Sequence, residues 1–245
     1  MGGPMTGMFE FGGVVAGFGG KLVTGKPILA TIKISRIETL EGGNSISNTT
    51  TGTLARSADG SIYRDLKFAA IGPWAATGKA HEFIYIRNMA TGTQYIINAT
   101  KGTYRALPIR RRDGLKKDWP YAPDSSNEAV TDNQNATYVD PANNTSYPVD
   151  DRKVTRTIPS GAIGNTLPIV ITRERWYSAA LDLLLEETHT DPRFGTTTYR
   201  LSNIGQSPAS SLFTPDPSFT EVQGGGFGPG GQRGKNRQPP PPSQD

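Results

Sequence analysis

Pro168–Thr190 (PIVITRERWYSAALDLLLEETHT), Asp191-Pro192-Arg193-Phe194-Gly195, Thr196–Ile204 (TTTYRLSNI) and Ser211-Leu212-Phe213 follow one another towards the end of the chain. The runs are rich in β-branched and aromatic residues, and Asp-Pro and Phe-Gly punctuate them. Residues 28–107 share this grammar, with breaks at Glu41-Gly42-Gly43, Asp59-Gly60, Thr91-Gly92 and Lys101-Gly102. Turn dipeptides between alternating runs are the strongest short-range signal for antiparallel hairpins. The pattern predicts a mainly β fold: a single, strongly curved antiparallel sheet, half-barrel-like, of about ten or eleven strands, with few short helices. One segment is ambiguous. Trp176, Ala179, Ala180, Leu183 and Leu184 fall at helical spacing, while Leu181, Leu183 and Leu185 alternate and lead into a turn. Strand is favoured over Ser178–Glu187, because the run continues through Thr188–Thr190 towards a complementary TTTYRL strand.

Glycine and proline concentrate in residues 1–27, 108–150 and 223–245 of the 245-residue chain. Residues 1–27 read as a flexible glycine-rich arm, because glycine loses the most entropy on ordering. Residues 28–222 read as one β domain carrying a long insertion loop at 108–151, with strand resuming at Lys153–Ile158. Residues 223–245 read as a disordered Gly/Pro-rich tail. Residues 69–81 look like a loop with Trp74 as an apolar plug. What is left, roughly 150 residues, suffices for a core burying about 70% of its unfolded surface.

Composition removes several chemistries. The chain has no cysteine, so disulfides, thiolate metal sites and cysteine nucleophiles are excluded. It has two histidines, His81 and His189, too few for a histidine-rich metal centre. A formal charge of +4 does not by itself demand an anionic partner. No run reaches the ~18 apolar residues of a membrane-spanning helix. Met1–Gly20 has no basic n-region, so the expectation is a cytosolic protein or a leader removed or placed upstream.

Gly20–Pro27 (GKLVTGKP) is one residue short of a phosphate-binding loop, since Pro27 stands where the magnesium-binding hydroxyl belongs. No cofactor motif is legible. His189 beside Asp191, Glu186 and Glu187 has the residue types of a general base, but no Gly-x-Ser-x-Gly elbow supplies a nucleophile. Asp182, Glu186 and Glu187 read as a wet strand face, and no catalytic or metal site is assigned. Arg110, Arg111, Arg112, Lys116 and Lys117, followed by Trp119 and Tyr121, have the make-up of a polyanion-binding loop. Asn48, Asn98, Asn135 and Asn144 each begin an Asn-x-Ser/Thr triplet, which matters only in a glycosylating pathway. If the sheet curls without closing, Trp74, Tyr85, Tyr95, Trp176 and Tyr199 are candidates to line an apolar groove for a lipid-like molecule.

The segments KLVTGKP, AAIGPWAATG, IYIRNMATGTQYIINATKGTYRAL, VTRTIPSGAIGNTLPIVITRERWYS and THTDPRFGTTTYRLSNI…SLFTPDPSF resemble a large family of uncharacterised exported bacterial proteins. The likeness spans about Lys21–Val222; the insertion at Arg110–Asp151 departs from it. More distantly, the succession of hairpins resembles the outer-membrane lipoprotein carrier (LolA-like) and RseB-like domains. That resemblance implies a curved half-barrel holding acyl chains and a periplasmic or extracellular location. The combined expectation is a non-enzymatic envelope protein that binds an apolar ligand or a protein partner. Homo-oligomers by edge-strand pairing are a close variant, and nucleic-acid binding through Arg110–Lys117 ranks behind both.

Overall fold

The structure, a computed structural model, describes residues 22–68, 81–109, 128–205 and 207–223. Among these residues it has no α-helix; short 3-10 turns at Glu41–Gly43, Ala99–Lys101 and Ser210–Phe213 join or follow the strands. Twelve strands form one open, curved sheet. In chain order they are β1 (Ile28–Thr39), β2 (Ser45–Arg56), β3 (Ile62–Phe68), β4 (His81–Asn88), β5 (Thr93–Asn98), β6 (Thr103–Pro108), β7 (Glu128–Val139), β8 (Ser146–Ile158), β9 (Ile169–Ser178), β10 (Leu183–Asp191), β11 (Gly195–Gly205) and β12 (Thr220–Glu221). Their spatial order is β12-β6-β5-β4-β3-β2-β1-β11-β10-β9-β8-β7. Two antiparallel meanders, β1–β6 and β7–β11, therefore meet where β1 pairs with β11; only β12 runs parallel to its neighbour. The near end of β2 is also tied to the β9–β10 turn: Arg56 donates through Nε to the Lys26 carbonyl (2.8 Å) and through its terminal nitrogens to those of Leu181 and Asp182.

The turns fall where the chain spells them. Asn98 accepts a hydrogen bond from the Lys101 amide (3.0 Å), and Gly102 follows at φ +62°. Asp191 accepts from the Arg193 amide (2.9 Å) and starts the β10–β11 hairpin. Gly195 closes that hairpin at φ +87°, a conformation costly for other residues, and a Cβ there would overlap the Ile37 carbonyl oxygen. Ser178–Glu187 is a turn followed by strand: β9 ends at Ser178, residues 179–182 turn, and β10 begins at Leu183. The run Pro168–Thr190 is thus two strands.

Two expectations are corrected. The segment 108–151, read as an insertion loop, contains β7 and much of β8, a hairpin at the sheet edge. Its strands are rich in Asn, Asp and Thr and largely exposed, so they carry no apolar alternation to betray them. Ser211-Leu212-Phe213, read as a strand, is a 3-10 turn that lays Phe213 against the sheet.

Register divides the side chains between two faces, because directly opposed residues point the same way. One face carries Ala30, Ile32, Ile34, Leu54, Leu66, Phe68, Phe83, Tyr85, Tyr199 and Leu201. Leu66 on β3 shares a buried cluster with Tyr199 and Leu201 on β11, three strands away, so this face is concave. Gly52 lies between Ile32 and Leu66 in the register, and a Cβ there would overlap the Asp65 carbonyl oxygen. The absent side chain lets β3 approach and the sheet bend. The convex face of β2–β6 carries Ala55, Tyr63, Ile86, Tyr95, Ile97 and Tyr104, and Leu212, Phe213 and Phe219 of the C-terminal segment cover it. Asn88 fixes that cover by donating to the Phe213 carbonyl (3.0 Å), as do Thr220 and Val222 by pairing with β6.

The β7–β8 hairpin folds its tip across the ends of β9 and β10 to reach β11. Asp140, fully buried, accepts hydrogen bonds from the amides of Asn203 (3.0 Å) and Ile204 (2.8 Å), as well as from Ala142 in its own turn (2.9 Å). Asn203 adopts φ +51°, a region asparagine tolerates better than most residues. The Tyr138 hydroxyl donates to the Leu201 carbonyl, and that of Tyr147 to the Ile204 carbonyl (3.2 Å).

Candidate functional site

The charged residues divide between the faces by type. Of the arginines in paired strands, Arg36, Arg56, Arg64, Arg87, Arg105, Arg152, Arg156, Arg173 and Arg175 lie on the concave face, and Arg200 alone on the convex one. The strand lysines Lys33, Lys67 and Lys153 all lie on the convex face. The division has a physical basis. A guanidinium is weakly hydrated and plane-shaped, so it tolerates a partly dry, aromatic surface; a strongly hydrated ammonium stays in water.

The two ends of the concave face handle this charge differently. On the β8–β11 side, Glu187 is fully buried and held between two cations. Arg173 donates to its Oε1 through Nε (2.9 Å) and a terminal nitrogen (2.7 Å), and Arg175 donates to Oε2 through Nε (2.7 Å). Asp132 on β7 faces Arg152 at 3.7 Å. On the β3–β6 side, Arg64, Tyr85, Ile96 and Arg105 form one row across the strands, with Arg87 and Gln94 in the next. No acidic side chain stands on the concave face of β3–β6 among the described residues; the acids of these strands, Asp65 and Glu82, are convex. Burial pulls Arg64 down to about 10, and the Arg87 Nε–H is buried without an acceptor among the described residues. Burial raises the Tyr85 phenol, while the charges of Arg87 and Arg64 pull it back. That hydroxyl donates to the Gln94 amide oxygen (3.0 Å).

The groove residues read from sequence are not brought together as a set. Tyr85 and Tyr199 share the concave face. Tyr95 is convex, packed edge-on against Tyr104 at 5.9 Å under the C-terminal cover. Trp176 is also convex, meeting Tyr138 edge-on at 6.3 Å. The reason is parity: Trp176 adjoins Arg175, so the two must point oppositely. Trp74, and the loop Arg110, Arg111, Arg112, Lys116 and Lys117, lie outside the described residues.

His189 does sit on the concave face, opposite Arg173 and Thr197. The carboxylates near it also serve arginines, and Asp191 interacts electrostatically with His189 as well. Glu187 serves its two arginines, and Asp191 accepts from Arg193 through Nε (2.9 Å) and a terminal nitrogen (2.6 Å). Burial works to raise Asp191, but the bonds from Arg193 prevail and hold it below its usual range. The wet face expected for Glu186 and Glu187 is corrected on the same parity ground. Glu186 points outward to Arg200 (2.7 Å) while Glu187 points inward. Among the described residues, no group of three or more His, Asp or Glu side chains is arranged to hold a metal ion, and no helix is long and apolar enough to cross a membrane.

A separate cleft of about 500 Å3 lies between the β2–β3 and β4–β5 turns and the C-terminal segment. Much of its polar lining is bonded internally: Asp59 holds Ser57 and Ser61 (Oγ to Oδ2, 3.0 Å), Ser61 accepts from the Met89 amide (2.9 Å), and Asn88 bridges Thr91 and Phe213.

No protein-family model matches the chain, and neither does any curated protein. Solved structures give distant likenesses. A chain of the Pseudomonas aeruginosa MucA/MucB complex matches at 12% identity and TM-score 0.40, covering 81% of this chain and 59% of that one. A DUF1329 family protein from Desulfovibrio piger matches at 11% identity and TM-score 0.29, over 86% and 97% of the two chains. A LolA superfamily protein from Nitrosomonas europaea matches at 8% identity and TM-score 0.30, over 82% and 96%. This chain therefore spans about three-fifths of the MucA/MucB complex chain it matches.

Proposed function

We propose that this chain is a non-enzymatic protein of the cell envelope or periplasm that holds an apolar ligand, or a segment of a partner protein, on the concave face of its sheet. The observation that carries this reading is the composition of that face. Ile34, Leu54, Leu66, Phe68, Phe83 and Tyr199 form a continuous apolar band on an open, bent sheet, without a set of side chains placed for bond-making chemistry among the described residues. A concave, mostly apolar surface with a few convergent polar groups is the usual form of a small-molecule site. Tyr85 and Tyr199 are the members of the sequence-derived groove that fit this reading.

Native mass spectrometry of protein purified without detergent, together with thermal melts in the presence of a bacterial lipid extract, tests it. Co-purifying lipid or a stable partner, with a melting temperature raised by the extract, is expected. A bare monomer whose melt is indifferent to lipid and to neutral detergent sinks the proposal.

A second reading has one observation of its own. β7 is a sheet edge of 12 residues, long and mostly exposed, and such edges accept an added strand. Concentration-dependent self-association that is abolished by Thr131→Pro would favour it.

A further inference from the structure

We propose that one end of the sheet docks on the surface of a lipid bilayer, with Leu40, Phe194, Ile163 and Leu167 entering its interfacial zone from three neighbouring turns. This is independent of what the concave face holds. Four observations converge on it.

The first is placement. The β1–β2 turn, the β10–β11 turn and the β8–β9 loop lie at the same end of the sheet, because β1 pairs with β11, β10 with β9 and β9 with β8, all antiparallel. They carry Leu40 (38% exposed), Phe194 (58%), Ile163 (59%) and Leu167 (74%). The turns at the opposite end, 57–61, 89–92, 140–145 and 179–182, display no exposed large apolar side chain among the described residues. Single exposed leucines are ordinary, whereas a set gathered at one end marks a contact surface. The second is charge. Residues 157–172, from the end of β8 to the start of β9, contain no charged residue. Charges cost most where water is scarce, so a charge-free loop is the one able to enter there.

The third is the backbone of that loop, which satisfies its own polar groups. The Gly161 amide donates to the Asn165 carbonyl (2.7 Å), Ala162 to the Pro159 carbonyl (3.2 Å), and Gly164 to the Gly161 carbonyl (3.4 Å). The Ile163 amide donates to the Asn165 side-chain oxygen (3.1 Å), whose own amide group donates to the carbonyls of Pro159 (2.9 Å) and Leu167 (2.7 Å). Pro159 and Pro168 have no N–H to satisfy. A loop in water can leave such groups to the solvent; a loop entering lipid cannot. The fourth is bracing. Arg193 lies over the Phe194 ring at 5.1 Å while bonded to Asp191, and Arg36 donates to the Phe194 carbonyl (3.2 Å). An aromatic ring beside a guanidinium suits the boundary between head groups and acyl chains. Separate apolar tips on braced turns fit a fluid partner that closes around each, and the uncharged loop favours neutral lipid.

Co-sedimentation of the full chain with sucrose-loaded phosphatidylcholine vesicles tests this. Binding is expected, changing by less than about two-fold between low and moderate salt, since salt screens charges and not apolar contact. Ile163→Gln combined with Leu167→Gln should weaken it about ten-fold or more, with an unchanged circular dichroism spectrum, because both side chains stand in solvent. Val139→Gln, exposed at the far end of β7, should bind like wild type. Because the chain has no cysteine, an environment-sensitive dye on Leu167→Cys reports that tip alone. Its emission should shift to the blue with vesicles, and the same dye on Val139→Cys should not shift.

Absence of binding to phosphatidylcholine vesicles overturns the proposal, as does equal binding by the double glutamine variant or an unmoved dye at position 167. Binding that requires added phosphatidylglycerol and disappears with salt overturns it in favour of electrostatic adsorption. Self-association without vesicle binding, abolished in the double variant, overturns it in favour of a second copy of this chain.

Discussion

Removing the Asp140 carboxylate should unlatch the β7–β8 hairpin from the rest of the sheet. In Asp140→Ala the amides of Asn203 and Ile204 lose their acceptor in a site where Asp140 itself is fully buried, and Ala142 loses the bond that shapes the turn. Hydrogen bonds to a charged acceptor contribute about 1.5–3 kcal/mol each, and an orphaned buried donor costs about 1–3 kcal/mol. Some of this is recovered as water follows the loosened tip, so a net loss of about 3–5 kcal/mol is expected. For a domain of this size that is roughly a 6–20 °C fall in melting temperature. Urea denaturation followed by circular dichroism measures it, and amide hydrogen exchange locates it, since Asn203 and Ile204 should lose protection first. Tyr138→Phe deletes only the hydroxyl that bonds the Leu201 carbonyl and should cost about 1–2 kcal/mol. Because both groups dock the same tip, the double variant should fall short of additivity by about 0.5 kcal/mol or more. A loss below about 1 kcal/mol in Asp140→Ala, with unchanged exchange at Asn203 and Ile204, would refute the latch.

Glu187→Gln should destabilise by about 3–5 kcal/mol, because two guanidinium groups are left facing a neutral amide; replacing Arg173, Arg175 and Glu187 together by Met should restore most of it. A chemical melt of the two variants decides, and equal losses in both contradict the account. Gly52→Ala should cost about 2–3 kcal/mol, since the new methyl would overlap the Asp65 carbonyl oxygen and come within 2.9 Å of its carbon, so backbone must shift. A melting temperature unchanged within error would mean that β2 and β3 can part freely there. Burial first, and Glu82 second, push Asp65 up to about 6. A carboxyl raised on folding binds its proton more tightly in the native state, so it weakens the fold as pH rises through about 4 to 6. Asp65→Asn should therefore gain about 1–2 kcal/mol on wild type across that window and hold the gain above it. Parallel stability curves for the two proteins between pH 4 and 7 would contradict the assignment.

How much of this the chain spells out depends on which residues carry the signal. The hairpins of β1–β6 are announced by Asp59-Gly60, Thr91-Gly92 and Lys101-Gly102, because turns need residues of special conformational range. β7 and β8 are silent: an exposed edge hairpin of Asn, Asp and Thr has no apolar rhythm, and its anchor Asp140 looks like any loop aspartate until Asn203 and Ile204 are beside it. The division of arginine from lysine was present in the strands themselves. Arg152-Lys153-Val154-Thr155-Arg156 and Arg173-Glu174-Arg175-Trp176 alternate, and parity alone puts Trp176 away from Arg175. What parity within one strand cannot supply is the pairing offset between strands. That offset is why Tyr85 and Tyr95, both plausible groove residues, end on opposite faces.

The two meanders meet only along β1 and β11 in the sheet, with Arg56 fastening β2 to the β9–β10 turn. The β3–β6 arginines and the Glu187 pair share the concave face on either side of this seam. Glu187 supplies a carboxylate to the concave face at β10, and β3–β6 differ in this among the described residues. A described strand residue of that kind exists only on the other face: Asp65 adjoins Arg64 and Leu66 in sequence, and by parity it turns away from both. Exchanging that parity through Leu66→Glu would put a carboxylate beside Phe83 on the concave side, within reach of the Arg64 and Arg87 rows. The variant should lose about 3 kcal/mol or more at neutral pH, because a carboxylate would replace a side chain buried in the core cluster, and recover part of that as the carboxyl is protonated. A Leu66→Glu protein as stable as wild type in a urea melt at neutral pH would mean that this side chain does not stand in the buried core.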